Sequence, residues 1–270
     1  MNLHQRRELL EGLYDRLNRR GFVHPDPLEF LYRYEDPKDR ELVALVASSL
    51  AYGRVAQILK SVQTVLNVMG KSPAEFILSV KPGKLRASLE GFKHRFNTHH
   101  HMVEMLLGVR KILKTHNSLG ELFSQCISPE DKTVLPALCK FVDAIKSACA
   151  EEVGYLLADP HKRSACKRLM LMLRWLIRKD SVDPGGWENL GKEKLIIPLD
   201  THMYQIATIM KMTSRKSADM KTAMEITAGF AKICPEDPTK YDFSLTRLGI
   251  RDDMNIRELN RLMKSPGLSL

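Results

Sequence analysis

The chain has 270 residues, of which 44% are apolar and 27% are charged. This composition is typical of a globular protein and excludes disordered and collagen-like classes, and the apolar runs are far too short to span a bilayer. The 42 Lys and Arg residues outnumber the 32 Asp and Glu residues, and the resulting net charge of +10 favours a polyanionic partner such as nucleic acid. The alternative is a protein that is basic without such a partner.

The N-terminal residues and the spacing of the cysteines predict the cellular compartment and whether a cofactor is bound. Residues 1–8 have no apolar stretch after their basic residues, so we expect no secretory signal. The sequence lacks the ligand spacing of a zinc site or an iron–sulfur cluster, and we therefore expect no metal and no other cofactor. Without paired Cys-x-x-Cys spacing, the five cysteines are predicted to be reduced, mostly buried thiols of a cytoplasmic protein: Cys126, Cys139, Cys149, Cys166 and Cys234.

The hydrophobic pattern predicts an all-α protein. Apolar residues recur three and four positions apart in most segments, for example in 42–50 and 103–113, and no segment shows a sustained two-residue alternation. Four sites place a capping side chain directly before a proline, which is typical of a helix start. These predicted starts are Asp36-Pro37, Ser72-Pro73, Ser128-Pro129 and Asp237-Pro238.

Basic residues are concentrated in two segments. Residues 81–116 hold eight Lys or Arg against two acids, and residues 161–179 hold seven Lys or Arg and no acid. On a helix, the second segment would place a stripe of cations opposite its apolar face. The cations could bind phosphates, and the indole ring beside them could stack on a base. The alternative is a solvated basic face with the tryptophan packed under a neighbouring helix. The stripe consists of Lys167, Leu171, Arg174 and Arg178, flanked by Arg168 and Trp175.

Further candidates and exclusions come from short motifs. An apolar run, 195–199, leads into Asp200, which is predicted to cap the following helix and acts either as a cap alone or as a functional carboxylate. The consecutive histidines 99–101 diverge on a helix and cannot bind one metal together, so we interpret them as polar or phosphate-contacting groups. The sequence has no Gly-rich phosphate loop, Gly-x-Ser-x-Gly or His-Glu-x-x-His motif, which argues against nucleotide hydrolases, serine hydrolases and zinc proteases.

Three stretches carry a resemblance to a known superfamily. Pro198-Leu199-Asp200-Thr201-His202 resembles the region around the catalytic aspartate of helix–hairpin–helix DNA glycosylases, and residues 223–250 resemble the last two helices of their catalytic core. Residues 41–54 resemble an early helix of that core and the turn that probes the duplex. Overall, the chain resembles an uncharacterised bacterial family that is distantly related to these glycosylases.

The resemblance implies a domain organisation. It predicts a single two-lobed unit over residues 1–270, with a first helical lobe at approximately 35–160, a catalytic-like lobe at 161–250, and terminal helices that pack together. The Leu-Pro-Gly-x-Gly hairpin typical of these enzymes is absent, and its nearest counterpart is Asp183-Pro184-Gly185-Gly186. The hairpin is therefore expected to be atypical.

The resemblance also implies catalytic residues. Asp200 would stabilise the positive charge that develops on the sugar. The nucleophilic lysine is missing at its usual place after the hairpin, but an archaeal branch that removes oxidised guanine has a lysine much further upstream. Lys167, 33 positions before Asp200, is similar in placement. It is predicted to be either a nucleophile or a phosphate contact.

These observations predict a base-excision repair protein that binds damaged duplex DNA, or alternatively RNA, and hydrolyses an N-glycosidic bond, with lyase activity left open. We expect a monomer that does not bind membranes. A non-catalytic protein that binds DNA or structured RNA and a protein-interaction scaffold are the alternatives. The predicted nucleic-acid contacts are Tyr52, Arg54, Arg168, Arg174, Trp175, Arg178 and His202, and Trp187 is a further candidate for lining a base pocket.

Overall fold

The structure, a computed structural model, describes residues 1–188, 190–251 and 254–264. The described chain is mostly helical, which confirms the predicted all-α class at this level. Three short 3-10 helices, Arg20–Phe22, Pro27–Arg33 and Lys192–Lys194, lie in the connections. The α-helices are α1 (Leu3–Leu17), α2 (Pro37–Ser49), α3 (Val55–Met69), α4 (Pro73–Ser79), α5 (Pro82–Ser88), α6 (His99–His116), α7 (Leu119–Cys126), α8 (Leu135–Ala148), α9 (Lys167–Ile177), α10 (Thr201–Ile209), α11 (Met220–Ala231), α12 (Asp242–Ile250) and α13 (Ile256–Lys264).

Two of the predicted helix starts are confirmed. The Asp36 carboxylate accepts a hydrogen bond from the Lys38 N–H (2.7 Å), and Pro37 is the first residue of α2. Ser72 directly precedes α4, which likewise begins with a proline. The Ala74 N–H of α4 donates to Asp39 in α2 (2.7 Å), so a tertiary contact satisfies a donor that the Ser72 side chain leaves free.

The other two predicted starts are wrong. Ser128-Pro129 lies in a turn, closed by a hydrogen bond from the Ser128 N–H to the Asp131 carboxylate (2.9 Å), and α8 begins at Leu135. Asp237-Pro238 also lies in a turn, five residues before α12 begins at Asp242. The carboxylate of Asp237 is engaged by the Arg178 guanidinium, so it is not available to cap a helix.

A short β-hairpin interrupts the helices and was not predicted. Strands β1 (Lys93–His94) and β2 (Asn97–Thr98) pair antiparallel, with Lys93 opposite Thr98 and His94 opposite Asn97. The two residues between the strands form the turn, and Arg95 has a φ of +52°. Two-residue turns of this kind usually place glycine at a positive φ, so the arginine must be held there by its surroundings.

One continuous hydrophobic core runs from α1 to α13 among the described residues. Helix α2 is buried on nearly all sides and packs against α3, α4, α7 and α9, while α12 packs against α1, α10 and α13. The N-terminal helix therefore contacts the C-terminal part of the chain. The division into two lobes near residue 160 remains a prediction. None of the described helices combines the length and the apolar character needed to cross a bilayer.

Candidate active site

The structure brings Lys167 and Asp200 together. Lys167 is the first residue of α9 and Asp200 directly precedes α10, so the N-terminal ends of these two helices meet at this pair. The Lys167 Nζ lies 3.4 Å from the Asp200 Oδ2, and the two side chains are 35% and 19% exposed. The pair is thus desolvated in part and still open to a ligand.

Asp200 uses its two carboxylate oxygens for different purposes. Its Oδ1 accepts a hydrogen bond from the Met203 N–H (2.9 Å), which confirms the predicted helix cap, and its Oδ2 faces Lys167. The extended segment 195–199 before it is buried, and the Ile197 N–H donates to the Thr227 hydroxyl of α11 (3.0 Å). The carboxylate is therefore fixed from both sides, and the positive end of the α10 dipole favours its charge.

The backbone before Lys167 is unusual. Cys166 adopts a left-handed conformation with a φ of +48°, is 2% exposed and accepts the Met170 N–H of the first helical turn at its carbonyl (3.1 Å). A non-glycine residue in this conformation costs about 1 kcal/mol or more. This sharp entry into α9 brings the lysine, which has a long and flexible side chain, to the start of the helix beside Asp200.

Arg168 joins two other segments of the chain to the start of α9, beside the pair. Its guanidinium donates to the backbone carbonyls of Ser49 and Tyr155 and to that of Leu156 (3.4 Å). It also lies 4.8 Å from the ring centroid of Tyr52. Because these carbonyls occupy its donors, Arg168 positions the turn at 50–54 and the loop at 149–158 against the start of α9.

The predicted stripe of exposed cations on α9 is wrong at Arg174 and Arg178. Each is 3% exposed and bound to aspartates within the protein, so neither contacts a phosphate on the surface. Trp175 is fully buried and cannot stack on a base. Trp187 is also buried, with its indole N–H donating to Glu41 (2.9 Å). The helical wheel failed because the partners of these side chains come from other parts of the chain.

The arginines belong to a buried ion-pair cluster, which we define as Arg174, Arg178, Asp180, Asp183, Asp237 and Asp242. Arg174 binds Asp183 (3.2 Å) and Asp242, and Arg178 binds Asp183, Asp180 (2.9 Å) and Asp237 (3.0 Å). Burial alone would lower the pKa of each guanidinium, but the aspartates raise both pKa values above the usual range. The cluster joins the end of α9 to the loop at 178–184 and to α12.

Asp242 connects this cluster electrostatically to the candidate site, and sequence reasoning missed it. It is 2% exposed, and its Oδ1 has no hydrogen-bond partner among the described residues. Burial raises the pKa of the Asp242 carboxyl to about 6, the Arg174 guanidinium opposes this rise, and the charge of Asp200 adds to it. Asp242 is thus a buried carboxyl with a raised pKa that responds to the charge of Asp200.

The remaining predicted contacts lie near this region in different environments. Tyr52 is half-buried, and its hydroxyl donates to the His94 carbonyl (3.1 Å). Arg54 is exposed. His202 is half-buried and packs against α12, where a Cβ on Gly249 would lie 2.7 Å from its Nδ1, so this glycine allows the close approach. Among the described side chains, no three His, Cys, Asp or Glu residues form a group that could hold a metal ion.

The candidate site lies within a segment of the chain that matches a known protein family. A family described as "Protein of unknown function (DUF2400)" matches residues 26–251. The chain belongs to this family. The part that matches DUF2400 includes Lys167, Asp200 and Asp242 as well as the buried ion-pair cluster. No curated protein and no solved structure matches the chain significantly.

Proposed function

We propose that this member of the DUF2400 family binds DNA and excises a damaged base by cleaving its N-glycosidic bond. The observation that supports this most directly is the 3.4 Å separation between the Lys167 Nζ and the Asp200 Oδ2 at the meeting point of two helix N-termini. An amine beside a carboxylate is the pair of groups that such a reaction uses. The resemblance to helix–hairpin–helix glycosylases is consistent with the same two residues.

The chemistry assigns a role to each residue. The Asp200 carboxylate stabilises the positive charge that builds on the sugar as the bond to the base breaks. The Lys167 amine, once it has released a proton to water, attacks the anomeric carbon and forms a carbon–nitrogen bond, while Asp200 keeps its charge. The base leaves with the electron pair of the broken bond and takes up a proton from water. The lysine–sugar adduct rearranges to a Schiff base, which borohydride reduces and traps.

Exposed cations around the pair support a nucleic-acid partner. Although Arg174 and Arg178 are buried, other basic side chains near α9 lie at the surface. Lys162 and Arg163 precede the helix, and Arg54 is the last residue of the turn that Arg168 holds. Such side chains bind phosphates without reading the base sequence. Lesion recognition would then depend on the groups near Lys167.

Borohydride trapping on a panel of lesion-bearing duplexes tests the proposal. We expect the wild-type protein to form a covalent adduct with at least one lesion. Lys167→Arg should abolish the adduct and preserve binding, because arginine keeps the charge and the pairing with Asp200 but is not a nucleophile. Lys179→Arg is the matched control, since Lys179 is an exposed lysine just after the same helix.

Three other outcomes of the trapping experiment would each change the assignment. An adduct that persists in Lys167→Arg and disappears in Lys179→Arg would move the nucleophile to Lys179. Base release without trapping would indicate direct attack by water, with Asp200 as the supporting carboxylate. Nucleic-acid binding without base release across the panel would overturn the excision proposal and favour a non-catalytic nucleic-acid-binding protein.

A further inference from the structure

Two aromatic side chains stand exposed side by side. Phe96 and Tyr155 are each 63% exposed, and they are the only aromatic residues among the strongly exposed large hydrophobic side chains of the described chain. Their ring centroids are 5.3 Å apart, and the ring planes are inclined by 42°. Exposing two aromatic rings to water is unfavourable, so a contiguous pair of this kind indicates a binding surface.

The pair is held in place by polar contacts. Phe96 lies at the tip of the tight β1–β2 turn, and the following residue, Asn97, accepts a hydrogen bond from the Tyr155 N–H at its Oδ1 (3.0 Å). A Cβ on Gly154, which has a φ of +56°, would lie only 2.9 Å from this Oδ1. Gly154 therefore permits the contact that joins the hairpin to the loop, and the two rings are arranged before any ligand binds.

Cations lie on the hairpin side of the rings. The Arg95 guanidinium is 5.5 Å from the Phe96 ring centroid, and Lys93, Arg95 and Arg54 are exposed. Residues 91–101 contain no acidic residue. Gly53 allows Arg95 to lie across the 50–54 turn, because a Cβ there would be 3.0 Å from the Arg95 Cδ. Aromatic faces with adjacent cations are complementary to a strand that offers both bases and phosphates.

A cavity lies beside Tyr155 and reaches Arg168. It has a volume of about 880 Å³, and its wall carries both cations and carboxylates, such as Lys162 and Glu152. This volume lies within the range of pockets that hold small molecules and is sufficient for a nucleoside. Arg168 is the neighbour of Lys167 in α9, so the cavity wall extends to the start of that helix.

We propose that Phe96 and Tyr155 form a stacking site for unpaired nucleobases, with Arg95 and its neighbouring cations on the phosphates of the same strand. This inference rests on the nucleic-acid-binding part of the proposed function and does not require base excision. It names unpaired or extruded bases as the structural feature that the protein recognises. A base removed from its stack regains on these rings part of the stacking energy that it loses.

The test measures binding of a fluorescein-labelled single-stranded DNA of about 12 nucleotides, and of a duplex with one unpaired base, over a range of salt concentrations. We expect the double variant Phe96→Ala/Tyr155→Ala to bind both probes roughly 5- to 150-fold more weakly than the wild type. The dependence on salt should stay unchanged, because no phosphate contact is removed. Arg95→Gln should instead reduce the log–log salt slope for the single strand by about 0.7.

Two controls sharpen the result. Tyr155→Phe retains the ring and should bind like the wild type. Met224→Ala removes an exposed apolar side chain on α11 and should also have no effect. Since Phe96 and Tyr155 are both exposed, the double variant should unfold at the wild-type temperature, and circular dichroism checks this.

Unchanged affinity in the double variant, or no binding of either probe by the folded wild type at low salt, would overturn the stacking site and leave a protein partner as the occupant of the surface. The excision proposal is judged separately by borohydride trapping. Trapping by the wild type together with unchanged affinity in the double variant would remove the stacking site alone. Loss of affinity in the double variant without trapping in the wild type would remove excision alone.

Discussion

At the scale of single residues, Asp200 combines a structural and a chemical role in one carboxylate. Asp200→Asn keeps an oxygen to accept the Met203 N–H but loses the charge that faces Lys167. We expect this variant to retain its stability and its binding of lesion DNA and to lose excision by orders of magnitude. Asp200→Ala should in addition cost about 1 kcal/mol of unfolding free energy. Thermal melts and single-turnover kinetics measure the two effects, and near-normal excision by the Asn variant would reduce Asp200 to a helix cap.

The raised pKa of the Asp242 carboxyl predicts how the stability of the protein depends on pH. Its pKa rises from 3.8 to about 6 in the folded protein, so the folded state binds this proton more tightly than the unfolded state does between these pH values. Its contribution to stability is therefore largest at low pH and decreases as the pH rises through about 6. We expect the melting temperature of the wild type, relative to Asp242→Asn, to increase as the pH is lowered from about 7 to about 5. A difference that does not change with pH would contradict the assignment.

Lys167 and Asp200 could be predicted from the sequence as functional residues, whereas Asp242 could not. The apolar run before Asp200 and the helical pattern after it indicate a cap. The proximity of Lys167 came from a resemblance, because spacing alone does not bring together residues that lie 33 positions apart. Asp242 is paired with Arg174 across 68 positions, and no local pattern marks such a contact.

At the scale of elements, α9 shows where a helical wheel fails. The wheel assumes that a cation opposite the apolar face is solvated, but aspartates of the 178–184 loop, of α12 and of the turn before it surround Arg174 and Arg178. We expect Arg178→Ala to lower the unfolding free energy by roughly 3–5 kcal/mol, because it leaves buried carboxylates unpaired. The adjacent Lys179 is exposed, and Lys179→Ala should change stability by less than about 0.5 kcal/mol. Urea unfolding compares the two, and equal stabilities would contradict the buried cluster.

The hairpin shows a second limit at this scale. Most helices follow from apolar periodicity, since a long segment repeats the signal several times. Strands of two residues carry no such repeat, and their turn has Arg95 where glycine is usual. Tertiary contacts with Gly53 and Tyr52 hold Arg95 in place, and these contacts are not visible in the local sequence.

At the scale of the whole molecule, the net charge has to be divided between the surface and the interior. Because Arg174 and Arg178 are internal, the cations that remain for a polyanion lie elsewhere, and Lys162 is one of them. We expect duplex affinity to fall with salt with a log–log slope of about −0.9 for each phosphate contact. Lys162→Gln should make this slope shallower by about 0.9, and Lys71→Gln, in the turn between α3 and α4, serves as the charge-matched control. Affinity that is independent of salt would remove nucleic acid as the partner.

The left-handed residue at the start of α9 carries a built-in reporter. Burial raises the pKa of the Cys166 thiol to about 11, and the residue is 2% exposed. In the native state the thiol is therefore protected from alkylation at neutral pH both by its protonation and by its burial. Iodoacetamide can therefore modify Cys166 only when the chain around Lys167 opens. The rate of that modification therefore reports how often this part of the chain opens. A lower rate in the presence of DNA would measure how strongly the bound DNA stabilises the start of this helix.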